Sequence, residues 1–245
     1  MIIYFSATGN CKYVAERLSA ATGDKMISIL DCIAENKYDF TDSTIGIISP
    51  TYNYTLPTVT REFLGKVKLN AKYLYFVATY GTSPGGTGKH AKKLIQKDFN
   101  AYYSIRMADT WTPIFDLSTP EKIAKFTKTT ETDIDSVINH IISRDCGQYM
   151  NNRALAIFAA PGKLFYENVR KTKHLWVEDS CIGCGLCARK CPVHAIEMQN
   201  KKPVWVKDKC AMCLGCLHRC PKFAIQYGNG KTKLHGQYTN PHVKI

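Results

Sequence analysis

Apolar and polar positions in the first 145 or so residues alternate between two periods. Ile2–Phe5 is a short β-rich run that ends in a glycine-containing turn, and Asn10–Ala21 then puts Val14, Ala15 and Leu18 on one helical face. Met26–Leu30 and Thr44–Ser49 predict a second and a third strand, the latter stopped by Pro50. Tyr73–Tyr80 is nearly all apolar or aromatic, as a strand buried on both faces would be. Lys89–Phe99 predicts a helix and Tyr102–Met107 a fifth strand. Ile134, Val137, Ile138, Ile141 and Ile142 follow the spacing of an amphipathic helix. Five strands interleaved with helices predict an α/β fold: a parallel sheet with helices on both faces. Right-handed crossovers leave few topologies for it.

From Gly147 to Lys173 the alternation stops. Asn151-Asn152 and Pro161-Gly162 read as breakers around an apolar Leu155–Ala160 piece, which predicts a connector with some helix. Residues 181–197 and 210–226 are then an internal repeat. Cys-Ile-Gly-Cys-Gly-Leu-Cys-Ala-Arg-Lys-Cys-Pro is answered by Cys-Ala-Met-Cys-Leu-Gly-Cys-Leu-His-Arg-Cys-Pro, and Ala195-Ile196 by Ala224-Ile225. The expected division is a domain over 1–150, a connector over 151–175, a small α+β unit over 176–227 and a tail over 228–245. The connector carries Leu155, Ile157, Phe158, Leu164, Phe165, Tyr166 and Val169, too apolar for a flexible tether. It is expected to pack the small unit against the large one. The tail, with Leu234, Tyr238, Pro241 and Val243, is expected to return across the same junction.

Composition narrows the chemistry. The 245 residues are 45% hydrophobic and 22% charged, an ordinary globular balance. No apolar run approaches the ~20 residues of a membrane span, and the opening Met-Ile-Ile-Tyr-Phe lacks the basic start of a signal peptide. Integral-membrane and secreted readings are therefore excluded, and a cytoplasmic location is expected. Of eleven cysteines, eight fall between Cys181 and Cys220, a clustering that reads as metal binding and not as a disulfide framework. Cys32 and Cys146 read as small hydrophobes near helices, and His174, His194, His218 and His235 as surface residues. The net charge of +13 is uneven: residues 1–150 hold 17 basic and 15 acidic side chains, residues 151–245 hold 16 and 5. A basic half suits nucleic acid or an acidic protein partner.

Each cysteine block is Cys-x2-Cys-x2-Cys-x3-Cys-Pro. Three thiolates three residues apart on a winding loop can meet three corners of one cube, and Gly183, Gly185 and Gly215 let the backbone wrap closely. Zinc takes two well-separated Cys-x2-Cys pairs, which two unbroken quartets do not offer. Residues 175–227 resemble a two-cluster bacterial ferredoxin. The resemblance implies that Cys181, Cys184, Cys187 and Cys220 hold one [4Fe–4S] cluster, and Cys210, Cys213, Cys216 and Cys191 a second.

Ser6-Ala7-Thr8-Gly9-Asn10 follows the first strand and opens the first helix, where unpaired N–H groups and the helix dipole favour an anion. This segment resembles the phosphate loop of flavodoxins, with Cys11 where they usually add another hydroxyl. The resemblance implies the five-stranded flavodoxin-like order, bound FMN, and ring contacts from two further loops. These are Pro50-Thr51-Tyr52-Asn53-Tyr54 and Thr79-Tyr80-Gly81-Thr82, with Gly85 beyond. Tyr52 or Tyr54 is expected to stack on the ring and Asn53 to take positive φ. Thr82 stands where some flavodoxins carry a stacking tryptophan. Gly86-Thr87-Gly88-Lys89 fails the nucleotide P-loop pattern, since His90 replaces its hydroxyl residue, and no Gly-x-Gly-x-x-Gly follows a strand.

The whole chain thus resembles a flavodoxin–ferredoxin fusion. That implies a low-potential electron carrier working between two [4Fe–4S] clusters, FMN and redox partner proteins, with an acidic partner for the basic face. No acid, base or substrate pocket is evident, so an FMN-dependent reductase fed through its own clusters is the alternative. Cluster and phosphate charge, about −4 and −2, offset much of the basicity, which excludes nucleic acid.

Overall fold

A computed structural model describes residues 1–150 and 159–245. Strands β1 (Ile2–Tyr4), β2 (Met26–Ser28), β3 (Asp39–Pro50), β4 (Lys68–Tyr80), β5 (Ala101–Arg106) and β6 (Gly147–Tyr149) form one sheet in the order β2-β1-β3-β4-β5-β6, with every neighbouring pair parallel. The sheet has six strands where the pattern predicts five. The sixth is three exposed residues at the edge beside β5, with no buried face to impose an alternation. The order reverses direction at β1/β3, so a crevice opens beyond the carboxyl ends of those strands.

β4 shows why the centre of the sheet reads as a continuous apolar run. Leu74, Phe76 and Ala78 face one core with Ile3, Phe5 and Ile47, closed by Val59, Phe63 and Leu64 of α3 (Thr58–Leu64) and Ala91 of α4 (Thr87–Ile95). Tyr73, Tyr75 and Val77 face the other core, closed by Val14, Ala15 and Leu18 of α1 (Asn10–Thr22) and Ile134, Val137 and Ile141 of α6 (Thr130–Ile142). At about 25 cal/mol per Å² of apolar surface removed from water, these two layers dominate the stability of the domain. β3 and β4 each begin five residues before the expected runs, where their paired N-terminal parts are mostly exposed, and two other boundaries differ for local reasons. β2 stops at Ser28 because its hydroxyl accepts from Leu30 N–H at 3.1 Å and starts α2 (Ile29–Ala34). α4 ends at Ile95, not Phe99, where Gln96 turns left-handed at φ 54°. α5 (Pro120–Thr127) covers the loop side of β5, capped by Thr119 accepting from Lys122 N–H at 3.4 Å.

The connector's helix is α7 (Ala159–Val169), and Pro161-Gly162 lies inside it as no breaker would. A proline in the first turn costs no hydrogen bond. Leu155, Ile157 and Phe158 lie outside the described residues. α7 bridges the two halves: Tyr166 donates its hydroxyl hydrogen to Ala211 O at 2.6 Å and accepts from Thr58 N–H at 3.4 Å. Glu167 pairs with Arg61 of α3 and with Arg170, whose Nε donates to Cys210 O at 2.6 Å.

The small C-terminal domain is two antiparallel ribbons. β7 (Leu175–Val177) pairs with β10 (Ile225–Tyr227), and β8 (Ile196–Gln199) with β9 (Lys202–Trp205). The sequence repeat survives in space. Helical turn α8 (Leu186–Arg189) and α9 (Gly215–His218) start at the same offset as β8 at Ile196 and β10 at Ile225. After α10 (Lys231–His235) the tail recrosses the junction, but of the apolar residues expected to carry it only Tyr238 is buried, Leu234 and Pro241 being exposed, and polar contacts hold it. That path corrects the reading of the histidines. His218 is only 4% exposed, because tail and β5 loop close over it. His235 is half-buried against Thr112 O and His174 is half-buried, leaving His194 exposed. Cys32 is buried, but Cys146 is exposed beside the edge strand.

Candidate cofactor cavity and cysteine quartets

The carboxyl ends of β1, β3, β4 and β5 open into one cleft of about 440 Å³. Ser6, Ala7, Thr8, Asn10 and Cys11 line it from the first loop, and Pro50, Thr51, Tyr52, Asn53 and Tyr54 from the second. Thr79, Tyr80, Gly81 and Thr82 line it from the third. Gly9 and Gly85 do not: Gly9 lies against the tail and Gly85 under Tyr54. α1 begins at an N-cap glycine with no side-chain cap and no acid in its first turn, which leaves its positive end for an anion. Ser6 Oγ accepts from Gly9 N–H at 3.2 Å and sets the loop's bend. Cys11 Sγ lies 3.1 Å from Thr79 Oγ1, and burial pushes its thiol up to about 12. It serves as a neutral tie between α1 and β4.

The second loop is a tight turn. Tyr52 N–H donates to Thr55 O at 2.8 Å and Thr55 N–H to Tyr52 O at 3.0 Å. Asn53 takes φ 47°, as expected, and Tyr54 takes φ 64°. A bulky residue at positive φ is strained, and such strain clusters at ligand sites. The buried Thr51 hydroxyl in the same wall has no partner among the described residues, so a polar ligand atom there would satisfy it. A helix end open to phosphate and an orphaned hydroxyl further along the wall suit a phosphorylated flavin.

Three parts of the wall escape the sequence reading. The loop after β5 contributes Met107, Ala108, Asp109, Thr110 and Trp111. The rule that ligands sit beyond strand carboxyl ends applies equally to β5 and would have found it. Asp109 accepts from Trp111 N–H at 3.1 Å and from the Thr82 hydroxyl at 3.4 Å, and burial raises its carboxyl to about 6. Trp111 brings an indole to the wall from the loop after β5. α7 contributes Phe165 and Tyr166, and the second cysteine motif contributes Met212, Cys213 and Leu214.

Two further cavities hold the cysteines. One is lined by Cys210, Cys213 and Cys216 with Cys191, the other by Cys181, Cys184 and Cys187 with Cys220. Three cysteines of each set come from one motif and the fourth from the other. Among the described residues no group of three or more cysteine, histidine or acidic side chains is already arranged around one metal-ion position. Backbone donors already point at sulfur: Ala195 N–H to Cys191 Sγ and Ala224 N–H to Cys220 Sγ at 3.3 Å each, and Met212 N–H to Cys210 Sγ at 3.2 Å.

The two quartets differ in environment. Cys184 is exposed and Ile182 beside it is 60% exposed. Burial pushes Cys210 up to about 12 and holds Cys216 well above a thiol's ordinary value. The backbone records the same asymmetry. Gly183 and Gly185 take φ 68° and 70°, while their counterparts Met212 and Leu214 hold φ 48° and 51° with full side chains. The second copy keeps large apolar groups at two left-handed positions, and both groups face the flavin-loop cavity. Gly215, in contrast, opens α9 without positive φ.

A flavodoxin-domain profile matches residues 1–137 and a 4Fe-4S binding-domain profile residues 174–197. No curated protein matches significantly. Among solved structures, Megasphaera elsdenii flavodoxin in its two-electron reduced form is 15% identical, with 55% of this chain and 99% of that one covered at a TM-score of 0.31. A flavoprotein in complex with FMN from Lactobacillus acidophilus is 14% identical, covering 42% and 88% at 0.30. Rubredoxin oxygen:oxidoreductase from Desulfovibrio gigas is 13% identical, covering 58% of this chain at 0.35 and only 36% of its own length. Among the described residues no helix is long and apolar enough to cross a membrane. By a match over more than half its length, the chain belongs to the flavodoxin-domain family, joined here to a 4Fe–4S binding segment.

Proposed function

We propose that the protein is a cytoplasmic low-potential electron carrier that exchanges electrons among two [4Fe–4S] clusters, FMN and redox partner proteins. Bound FMN and iron–sulfur clusters supply the one-electron chemistry; the chain supplies spacing, burial and access. The reading rests above all on Cys213, which belongs both to the wall of the flavin-loop cavity and to the cavity of the buried quartet. In this reading Ser6–Asn10 receives the phosphate, Thr51 bonds a polar edge of the ring, and Tyr52, Trp111 and Tyr166 exclude water. Cys191, Cys210, Cys213 and Cys216 hold the inner cluster. Cys181, Cys184, Cys187 and Cys220 hold the outer one, where exposed Ile182 and Cys184 give a partner access. Exposed Arg189, Lys190, Lys201 and Lys222 around that opening suit an acidic partner.

The test uses holoprotein carrying about eight iron, eight acid-labile sulfide and one FMN. The clusters are reduced by a flash and the flavin absorbance is followed. A rate constant unchanged over a tenfold range of protein concentration is expected. A rate that scales with concentration would mean that electrons pass between molecules and would overturn the internal path.

A further inference from the structure

The tail ties three parts of the molecule that sequence keeps far apart. Gln237 Nε2 donates to Leu217 O at 2.6 Å and to Cys220 O at 2.8 Å. Tyr238 N–H donates to His218 Nδ1 at 3.1 Å, and His218 Nε2 in turn donates to Thr110 O at 2.9 Å. The chain then reaches the first loop. The Tyr238 hydroxyl, at 3.1 Å, and Asn240 Nδ2, at 3.2 Å, both donate to Asn10 Oδ1. Asn240 N–H donates to Thr8 O at 2.8 Å. Asn10 Nδ2 is held by Ala108 O at 3.2 Å. Tyr238 and Asn240 are buried, and the contact at Gly9 is so close that a Cβ there would come within 2.8 Å of Asn240 Cβ.

Thr8, Gly9 and Asn10 are thus all braced by the tail, while Thr8 and Asn10 also line the cavity. A loop that receives an anion on backbone N–H groups is effective only if its shape exists before the ligand arrives; otherwise binding must supply the cost of ordering. We propose that Tyr238 and Asn240 position the phosphate loop, and so give the site its preference for a phosphorylated over an unphosphorylated flavin. This rests on the FMN reading above. Removing the two side-chain donors leaves the buried Asn10 carbonyl unsatisfied, while the bond to Thr8 O, made by the Asn240 backbone N–H, stays. The β3 and β4 loops and α7 make none of those bonds, and the β5 loop is joined to Asn10 through Ala108 O, a bond that both substitutions leave in place.

The experiment compares FMN with riboflavin on the full-length, cluster-loaded protein. Flavin fluorescence quenching is measured anaerobically for wild type, Tyr238→Phe, Asn240→Ala and the double variant. Wild type is expected to prefer FMN. The double variant should lose about tenfold in FMN affinity while riboflavin affinity stays within about twofold, and Tyr238→Phe, the milder change, should fall between. Equal losses for both flavins would mean general loosening and would overturn the proposal, as would unchanged FMN affinity. A wild type that binds neither flavin would overturn the FMN reading itself.

Discussion

His218 is neutral because it is buried: its Nε2–H is donated to Thr110 O, its Nδ1 accepts from Tyr238 N–H, and burial lowers its pKa to about 4. The unfolded chain binds that proton near pH 6.5, so unfolding takes up a proton between about pH 6.5 and 4, and acid removes stability there. Asp109 has the opposite sign. Its carboxyl is raised to about 6, so the folded state binds its proton first and acidification from about pH 6 towards 4 adds stability. The two contributions offset each other in the native chain. Between pH 7 and 5, Asp109→Asn should therefore lose about 2 kcal/mol, and His218→Gln should gain about 1 kcal/mol, in urea unfolding of the flavin-free protein. Neither group is legible as special in the sequence. The burial of His218 is made by Thr110, 108 positions earlier, and Tyr238, 20 positions later. The cysteines were legible for the converse reason: their spacing along one loop is itself most of the site.

α7 is the element on which the sequence reading and the structure part most clearly. Pro161-Gly162 has the composition of a break, yet tertiary contact uses it inside a helix. A Cβ on Gly162 would lie 2.3 Å from Asn53 O, so glycine is what lets α7 lie against the strained turn at Asn53 and Tyr54. In a free helix Gly→Ala gains about 1 kcal/mol. Here Gly162→Ala should instead lower the thermal midpoint and weaken FMN, as α7 is pushed off the turn. A melting curve and a flavin titration on the same sample check both. Elements whose faces meet one uniform core, such as α1, α6 and the centre of β4, were readable from periodicity alone. α7 faces a turn on one side and a cysteine loop on the other, and no simple period encodes that. The short β6, with no buried side, was invisible for the same physical reason.

Across the whole molecule the charge is spent unevenly. Lys209 and Lys233 are exposed but paired with Glu167 and Glu178, and Arg189, Lys190, Lys201 and Lys222 stand exposed around the outer quartet. Electron transfer to an acidic ferredoxin should therefore slow steeply as added salt shortens the screening length, with stopped-flow rates at 20 and 500 mM salt as the measure (~20 Å against ~4 Å). A rate indifferent to salt would remove the acidic partner. The tail bears also on how such a protein is made. The carbonyl of Asn10 waits for donors 228 and 230 positions further on, and all eight cysteines of the repeat are synthesised in between. A nascent flavodoxin half can therefore fold its sheet as it leaves the ribosome, but its phosphate loop is braced only after the cysteine repeat has been translated. Flavin loading then becomes a late step in biogenesis, and chains cut short before the tail are left poorly able to retain the coenzyme.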